Sequence, residues 1–517
     1  MNNKNDKILF WGCFIAILTT SYAFISRIIL CTGSQFSVEF GLDKVSVGEL
    51  VGAGIWPFGV SIIVFSLFID RIGYKVAMIY SFASYLAYIA MAFAAYSCVH
   101  GVTGDALIHG QQRGFKLLYW GSIILGLGNG SAEAYCNPII ATMFSTDKAK
   151  WLNRLHAGWP GGLVIGGLCT IALAGNADWR VILGLILVPA IIFFLILVSR
   201  PFPKSEREQA GVSYLAMLKE LGAFGALVGF GLVFAQLGQV FGWSSALVWG
   251  LTGAVVVTFA IITKSFGRLL LAFLIIIMMP QATTELGTNG WITSLMEDPM
   301  KAAGYNPAWV LVYTSAIMLI LRFCAGPLIH KFSPVGLLAT CSGLAGLGIL
   351  ALSQTAHAGT GTIFAAATLF GVGITFFWPT ILGLTSEQCP KGGALTLNAM
   401  GGIGMLAVGI LGAPFLGYMQ ESSTTQQLRA ADSALYAQVS VKKDYLLGAY
   451  EAIDPEKKAA ITDQKSLDEI KSAETTGKFS ALGKMAMFPF FGLACYLALF
   501  AYFKARGGYK TVQLSKP

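Results

Sequence analysis

Residues 180–199 read RVILGLILVPAIIFFLILVS, a run in which the only charge is the first residue. An α-helix rises about 1.5 Å per residue, so about twenty apolar residues cross a hydrocarbon layer about 30 Å thick. Lipid offers no partners for backbone N–H and C=O groups, and a helix satisfies these groups internally. The run also lacks the alternation typical of a lipid-facing barrel strand. It therefore predicts a transmembrane helix.

Similar apolar runs fill most of the chain. Of its 517 residues, 55% are hydrophobic and 12% are charged, and the mean hydropathy is +0.68. These values exceed what a water-soluble core needs. The 60 glycines fit closely packed membrane helices, because small residues let such helices approach one another. We predict an all-α polytopic membrane protein.

The apolar runs predict about fourteen spans in two six-helix halves with an inserted helix pair. The spans lie near residues 8–31, 47–69, 76–98, 116–143, 152–175, 180–199, 221–238, 242–264, 268–292, 306–329, 335–355, 361–383, 393–416 and 485–503. The predicted domains are an N-terminal half (1–200), a cytoplasmic linker (201–220), an inserted membrane hairpin (221–264), a C-terminal half (265–417 and 485–517) and an extracytoplasmic insertion (418–484). Because the hairpin connection at residues 239–241 is short, twelve spans with a re-entrant hairpin stay open.

Lys and Arg in short loops predict the orientation, because such loops are retained on the cytoplasmic side. With the N-terminus inside, most basic loop residues fall on that side, so we expect a cell (inner) membrane protein with both termini cytoplasmic. The net charge of +9 follows from this topology, since the basic residues do not cluster on a soluble module as nucleic-acid binding would require.

The two halves repeat one another in sequence. GLGNGSAEAYCNPII (126–140) in the fourth span matches GVGITFFWPTILG (371–383), with Asn137-Pro138 opposite Trp378-Pro379. A glycine-rich helix follows in each half. Transporters are commonly built from such repeats, with the substrate site between them, although Gly and Pro are also common in membrane helices generally.

Two loops resemble a known family. SLFIDRIGYK (66–75) is similar to the loop signature of the major facilitator superfamily, with Asp70, Arg71, Gly73 and Lys75 at the expected places and Ser66 in place of its first glycine. RFCAGPLIHKFSP (322–334) is the matching piece of the second half, with Arg322 and Lys331. The resemblance implies the major facilitator fold and a cytoplasmic gate formed by these residues.

A finer resemblance, over spans 4, 5 and 7 to 11, is to the fucose permease branch, whose members are sugar and proton symporters. NGSAEAYCNP, RFCAGPLIHKFSP and FWPTILGLTSEQCPKGGA carry it. It implies that Glu133 takes part in sugar recognition. The branch's first-span aspartate has no counterpart, because Arg27 lies at or near that place.

Among the ionisable residues inside predicted spans, we single out Arg27, Glu133, His156 and Glu285. Each costs at least about 2.5 to 3.5 kcal/mol in lipid unless it is paired or hydrated. We expect them to line one central cavity, with a structural Arg27–Glu133 ion pair as the alternative. An unpaired Arg27 would bind a carboxylate or phosphate, whereas Glu133 would accept hydroxyl hydrogen bonds or carry a proton, as would His156.

Sugar sites usually combine an aromatic face with amide and carboxylate groups. Residues of these types at positions that can reach a cavity are Asn129, Asn137, Trp159, Gln281, Trp378 and Asn398. Ordinary packing and lipid anchoring explain such residues equally well. They complete the predicted substrate site.

Other function classes have little support in the sequence. There is no phosphate-binding GxxxxGK[ST] loop, the five histidines do not cluster, and the nine cysteines have no metal-site spacing, so we expect no enzyme activity, cofactor or metal. The sequence favours a monomeric secondary transporter of a small polar solute, a sugar or sugar acid, coupled to an ion or proton. The alternative is a non-transporting sensor or anchor of the same fold that acts through residues 418–484.

Overall fold

The computed structural model describes residues 4–32, 34–42, 44–173, 177–445 and 448–514. Fourteen long helical segments, α1 to α14, follow one another along the chain. They are α1 (Lys4–Thr32), α2 (Lys44–Gly52 and Trp56–Ile72), α3 (Tyr74–Val99), α4 (Asp105–Met143), α5 (Lys148–His156 and Gly158–Leu173), α6 (Trp179–Gly184 and Leu187–Leu197), α7 (Tyr214–Phe241), α8 (Ser245–Thr263), α9 (Leu269–Ala282, a π-helical turn Thr283–Gly287, and Thr288–Leu295), α10 (Ala308–Phe323), α11 (Ala325–Leu352), α12 (Thr360–Ile374 and Phe377–Gln388), α13 (Gly393–Ala407, a π-helical turn Val408–Gly412, and Ala413–Ala431) and α14 (Gln464–Met485 and Met487–Ala505). Short helices are Ser34–Glu39, Glu206–Gln209, Glu297–Ala302, Pro390–Gly392 (3₁₀), Ser433–Val439 and Pro455–Ala459.

In the described part of the chain, twelve of these segments are long and apolar enough to cross a membrane, all except α4 and α10. The α4 helix has 39 residues but many polar ones, and α10 is apolar with 16 residues. Helices thus occupy all fourteen predicted segments, while the count of fourteen spans stays a prediction. The last two residues of the predicted span 152–175 lie outside the described residues.

The predicted inserted hairpin corresponds to α7 and α8. The α7 helix breaks at Gly222, whose φ of +62° favours glycine. The break lets the backbone N–H groups of Ala223 and Phe224 bond to the carbonyls of Ser265 and Phe266, which closes the base of the hairpin. The α7 helix packs against α13, whereas α8 contacts chiefly α7 and exposes most of its surface.

Three helix pairs bring the N-terminal and C-terminal parts of the chain together. The α2 helix packs along α13, and α5 packs against α10 and, near its start, against α12. Both chain ends lie on the same side of the bundle: Phe10 of α1 contacts Trp151 at the start of α5, with ring centroids 5.4 Å apart, and Gln388 at the end of α12 donates to the carbonyl of Lys510. We call this side the terminal face.

The predicted extracytoplasmic insertion lies on the opposite side and is not wholly helical. The end of α13 packs against the start of α14, and strands β1 (Ser440–Tyr445) and β2 (Gly448–Ile453) form an antiparallel hairpin beside them. Six buried side chains give it a small core of its own: Leu428, Leu435, Val439, Ile453, Ile470 and Ala473. The helix-like composition predicted the helices and missed the sheet.

Candidate functional site

A small cavity lies at the centre of the bundle, where α2, α4, α5, α9, α10, α12 and α13 meet. Its walls are Phe58, Glu133, His156, Trp159, Glu285, Leu286, Arg322, Trp378 and Met405. Its empty volume is about 280 Å³.

Arg322 joins three helices at this cavity. Its side chain is 1% exposed; Nη2 donates to Glu285 Oε1 at 2.7 Å, Nη1 to the carbonyl of His156 at 2.8 Å, and Nε to the carbonyl of Thr375 at 2.6 Å. The two carbonyls are those that prolines leave unpaired, because Pro160 and Pro379 have no N–H for the carbonyl four residues earlier. One guanidinium therefore neutralises a carboxylate and donates to the unpaired carbonyls of two broken helices.

Glu285 is positioned by two irregular helices. It lies in the π-helical turn Thr283–Gly287 of α9, and its Oε2 accepts the backbone N–H of Trp378 at 3.1 Å. Trp378 begins the second half of α12, where backbone N–H groups lack helical acceptors and the helix dipole favours a negative charge. The carboxylate is thus held on both oxygens.

Glu133 faces the other wall of the cavity with a different set of partners. Asn137, one turn along α4, donates from Nδ2 to Glu133 Oε2 at 2.7 Å, and its Oδ1 lies 2.8 Å from His156 Nε2. His156 Nε2 is 3.7 Å from the same Glu133 oxygen. Within the described residues, no arginine or lysine forms an ion pair with Glu133.

Of the four ionisable residues expected to line one cavity, Glu133, His156 and Glu285 do so, whereas Arg27 does not. The expected place of Arg27 and the alternative Arg27–Glu133 pair are therefore wrong. Arg27 Nη1 and Nη2 donate to the carbonyls of Leu50 and Val51 at 2.7 and 2.9 Å. These carbonyls lie at the end of the first piece of α2, which breaks before Trp56, and the Val51 carbonyl also accepts the backbone N–H of Gly54 at 3.3 Å. A Cβ at Gly54 would lie 2.4 Å from Arg27 Cζ, so glycine makes room for the guanidinium.

None of the four predicted amides is a wall of the cavity. Asn137 bonds to Glu133 and His156, which are, whereas the other three bond elsewhere inside the bundle. Asn129 accepts from the Tyr85 hydroxyl at 2.7 Å, and Gln281 accepts from the Tyr496 hydroxyl. Asn398 of α13 donates to the carbonyl of Ala134 at 2.9 Å, the group that Pro138 leaves without a helical partner. By contrast, Trp159 and Trp378 do line the cavity.

Some of the predicted gate residues contact the segment after α6, and others are exposed. Asp70 accepts two bonds from Arg207 of the linker at 2.8 and 3.0 Å, and Arg71 lies 4.2 Å from the centre of the Tyr214 ring. Gly73 adopts a φ of +85° between α2 and α3. Lys75 and Lys331 are exposed.

The assignment of Arg322 to this gate is wrong, because α10 ends early and its continuation, the start of α11, kinks only at Ser333. Arg322 lies fourteen positions after Ala308 and eleven before Ser333, near the middle of the helical stretch formed by α10 and the start of α11, and it lines the central cavity.

The terminal face carries a network of hydrogen bonds around Glu387 and Lys148, which we call the seal and which sequence reasoning missed. Glu387, at the end of α12, accepts the backbone N–H of Ala149 at 2.9 Å and the Tyr509 hydroxyl at 2.6 Å. Burial and the nearby Glu387 carboxylate raise the pKa of Tyr509 well above its usual range, so the phenol stays a donor. Lys148 bridges Glu206 of the linker at 2.5 Å and the carbonyl of Ser386 at 3.2 Å. The beginning of α5, the end of α12, the linker and the C-terminal segment are thus tied together.

Comparisons with known proteins agree with this architecture. The family model described as Major Facilitator Superfamily matches residues 9–413. Among curated proteins, no sequence matches the chain.

Several solved structures share the fold at low sequence identity. The proton:xylose symporter XylE, known from E. coli, in a complex with 6-bromo-6-deoxy-D-glucose is 13% identical, with a TM-score of 0.60 over 97% of this chain and 96% of that one. The E. coli fucose:proton symporter FucP is 14% identical, with a TM-score of 0.54 over 94% and 99%. The human organic anion transporter MFSD10 is 11% identical, with a TM-score of 0.55 over 95% and 100%.

At these identities the likenesses show the fold alone, and the proteins that share it differ in what they carry. The family match over most of the chain confirms the predicted resemblance and the multi-pass helical fold, and it indicates a transporter rather than an enzyme. This chain belongs to the major facilitator superfamily.

Proposed function

We propose that this protein is a secondary transporter that moves a small neutral sugar by alternating access, coupled to a proton. The observation that supports this proposal most is the charge arrangement of the cavity: Glu133 has no cationic partner among the described residues except a histidine, while Arg322 is fully engaged.

The charges argue for a neutral solute over a sugar acid. Binding an anionic solute calls for a free cationic group, as a bidentate arginine clamp provides. The guanidinium of Arg322 is occupied by Glu285 and two carbonyls, and that of Arg27 by two carbonyls away from the cavity. An acidic solute would meet Glu133 and Glu285 without a free cation to offset them.

The two cavity tryptophans suit a sugar ring. The Trp159 ring lies against Phe24 and Phe58, with centroids 5.8 and 6.1 Å apart, which fixes its orientation. Trp378 packs over Gly404, where a Cβ would come within 2.9 Å of the indole. Rigid aromatic faces stack on the apolar C–H face of a sugar while carboxylates accept its hydroxyl protons.

Glu133 and His156 are the proposed coupling groups. Both are buried at the cavity, where hydration changes as access alternates, and a buried carboxylate takes up or releases a proton with such a change. Glu285 is less suited to this duty, because Arg322 and the Trp378 N–H hold both of its oxygens.

Alternating access requires the cavity to open to each side in turn. The seal around Glu387 supports the view that this conformation is closed on the terminal face. We propose that this face is cytoplasmic, that the two parts of the chain on either side of residues 201–264 rock against one another, and that the protein acts as a monomer.

Uptake by purified protein in lipid vesicles tests the proposal. Vesicles with an inward proton gradient are offered D-xylose, fucose, D-glucose and D-glucuronate, and the same set is tested with the gradient collapsed by an ionophore. We expect uptake of at least one neutral sugar, faster with the gradient, and none of the acid. Glucuronate uptake alone would contradict the neutral assignment.

No flux of any of these solutes would favour the alternative, a sensor or anchor acting through residues 418–484. The small separate core of that segment is the observation in its favour. Binding of the sugars, measured by thermal stabilisation, would then separate a sensor from a protein that ignores sugars.

A further inference from the structure

One buried amide links the two proposed coupling groups. Asn137 lies between Glu133 and His156, donating to the carboxylate at 2.7 Å and meeting the imidazole Nε2 at 2.8 Å. The exposed fraction is 3% for Glu133, 2% for Asn137 and 1% for His156. Bulk water therefore does not replace either hydrogen bond.

The chemistry of an amide fixes the proton on the imidazole. A carbonyl oxygen accepts and an NH₂ group donates, so when Nδ2 serves the carboxylate, Oδ1 is left facing His156. Because Oδ1 only accepts, His156 must carry a proton on Nε2 in this arrangement. The orientation matches an ionised Glu133, since a carboxylate accepts and never donates.

Protonation of Glu133 reverses the preference. A neutral carboxyl can donate its O–H to Oδ1 if the amide turns over, and Nδ2 then faces His156 Nε2. That nitrogen must become an acceptor, so the imidazole proton has to lie on Nδ1. The amide has two arrangements, each satisfied by one protonation state of Glu133.

Other charged or titratable groups near the pair are accounted for. Arg322 of α10 bonds to the backbone carbonyl of His156 and is paired with Glu285 of α9, so neither competes for the amide. Tyr85 of α3 donates to Asn129. Cys136 of α4 donates to the carbonyl of Cys13 on α1 at 3.6 Å.

We propose that Asn137 is a positioning residue that transmits the protonation state of Glu133 to the tautomer of His156. The inference rests on the proposed function for its role in transport, but its chemistry can be tested without any substrate. Proton binding at one buried group then alters the donor and acceptor pattern that His156 presents at the cavity.

The test on the wild-type protein is nitrogen NMR of ¹⁵N-histidine-labelled material in lipid. The chain has five histidines, and the His156 signal is identified by its loss in His156→Gln. We expect His156 to be the Nε2–H tautomer at alkaline pH and to change to Nδ1–H as the pH is lowered. The change should occur in the same pH step in which the infrared band of the protonated Glu133 carboxyl appears. That band is identified by its absence from Glu133→Gln. An Nδ1–H tautomer at alkaline pH, or no change through that step, would overturn the proposal.

Variants test the consequence for transport. In Asn137→Leu the carboxylate loses a hydrogen bond that favours its ionised form, so the pH midpoint of gradient-driven D-xylose uptake should move up by about one unit. The matched control is Asn129→Leu on the same helix, where the wild-type amide accepts from Tyr85; this variant should leave the midpoint unchanged.

The outcomes separate the two proposals. If wild type transports and Asn137→Leu keeps the wild-type midpoint, the inference is wrong and the transport proposal stands. If wild type transports no sugar, the transport proposal fails while the NMR tautomer still decides the inference. If Asn137→Leu does not fold, the wild-type NMR measurement decides it alone.

Discussion

Two arginines are equally buried in this bundle and do different work. Arg27 and Arg322 are both 1% exposed, and both donate to backbone carbonyls where a helix is broken. Only Arg322 also pairs with a carboxylate and lines the cavity. The cost of burying a charge therefore marks both sites, whereas the partners of the charge distinguish a structural arginine from one at the solute site.

The largest expected effect comes from removing each arginine. Arg322→Met strands the Glu285 carboxylate as well as two carbonyls, and breaking a buried pair costs about 3 to 5 kcal/mol. Arg27→Met strands the Leu50 carbonyl but no carboxylate, at about 1 to 3 kcal/mol, because the Val51 carbonyl keeps the N–H of Gly54. Denaturant unfolding in detergent should rank Arg322→Met as the more destabilised. Adding Glu285→Gln to Arg322→Met should recover most of the difference, and no recovery would mean that the pair is not what separates the two sites.

The next largest effect concerns transport rather than stability. Glu133→Gln keeps the shape and one acceptor but cannot ionise, so gradient-driven uptake should fall at least about 100-fold, or about 2.7 kcal/mol. Its unfolding free energy should stay within about 1 kcal/mol of wild type, as expected for a change that strands no charge. Full activity in Glu133→Gln would remove Glu133 from the site.

A smaller effect is expected at the aromatic walls. Trp378→Phe and Trp159→Phe each reduce the stacking surface, so KM for a transported sugar should rise about tenfold, which corresponds to about 1.4 kcal/mol. Trp120→Phe is the control, because Trp120 is 51% exposed on the bundle surface. Equal KM values in all three variants would argue against stacking in the cavity.

The smallest effect tests whether a side chain that bonds to a proline-freed carbonyl acts in stability alone. Asn398→Leu removes the donor to the Ala134 carbonyl, so stability should fall by about 1 to 2 kcal/mol. Uptake per folded molecule should change less than about twofold, because Asn398 does not line the cavity. A large loss of uptake with normal stability would place Asn398 at the solute site instead.

The sequence predicted the membrane helices well because their signal is local. Length and apolarity mark a span in each run, and helices occupy every predicted segment. Pro160 and Pro379 mark the breaks inside α5 and α12 in the sequence, whereas the sheet of the 418–484 segment depends on contacts between distant residues, so composition does not show it.

The site was predicted in part. Glu133, His156, Trp159, Glu285 and Trp378 converge on the cavity, and their roles stay predictions. The prolines Pro138, Pro160 and Pro379 indicate in advance which carbonyls lack a helical donor, but not which side chain supplies one.

The distance of Arg322 from both ends of its helical stretch indicated a place inside the bundle. The loop resemblance led us to assign it to the gate instead. The cavity-lining Phe58, Leu286 and Met405 carried no signal, because apolar residues of a cavity look like any others of a core.

The most direct test compares the two arginines in one binding measurement. Equilibrium binding of a radiolabelled sugar that wild type transports is measured on purified Arg27→Lys and Arg322→Lys, each corrected for the folded fraction. Arg27→Lys should bind within about twofold of wild type, whereas Arg322→Lys should bind at least about tenfold more weakly, about 1.4 kcal/mol, because lysine cannot hold Glu285 and both carbonyls at once. Normal binding by Arg322→Lys together with lost binding by Arg27→Lys would contradict the account.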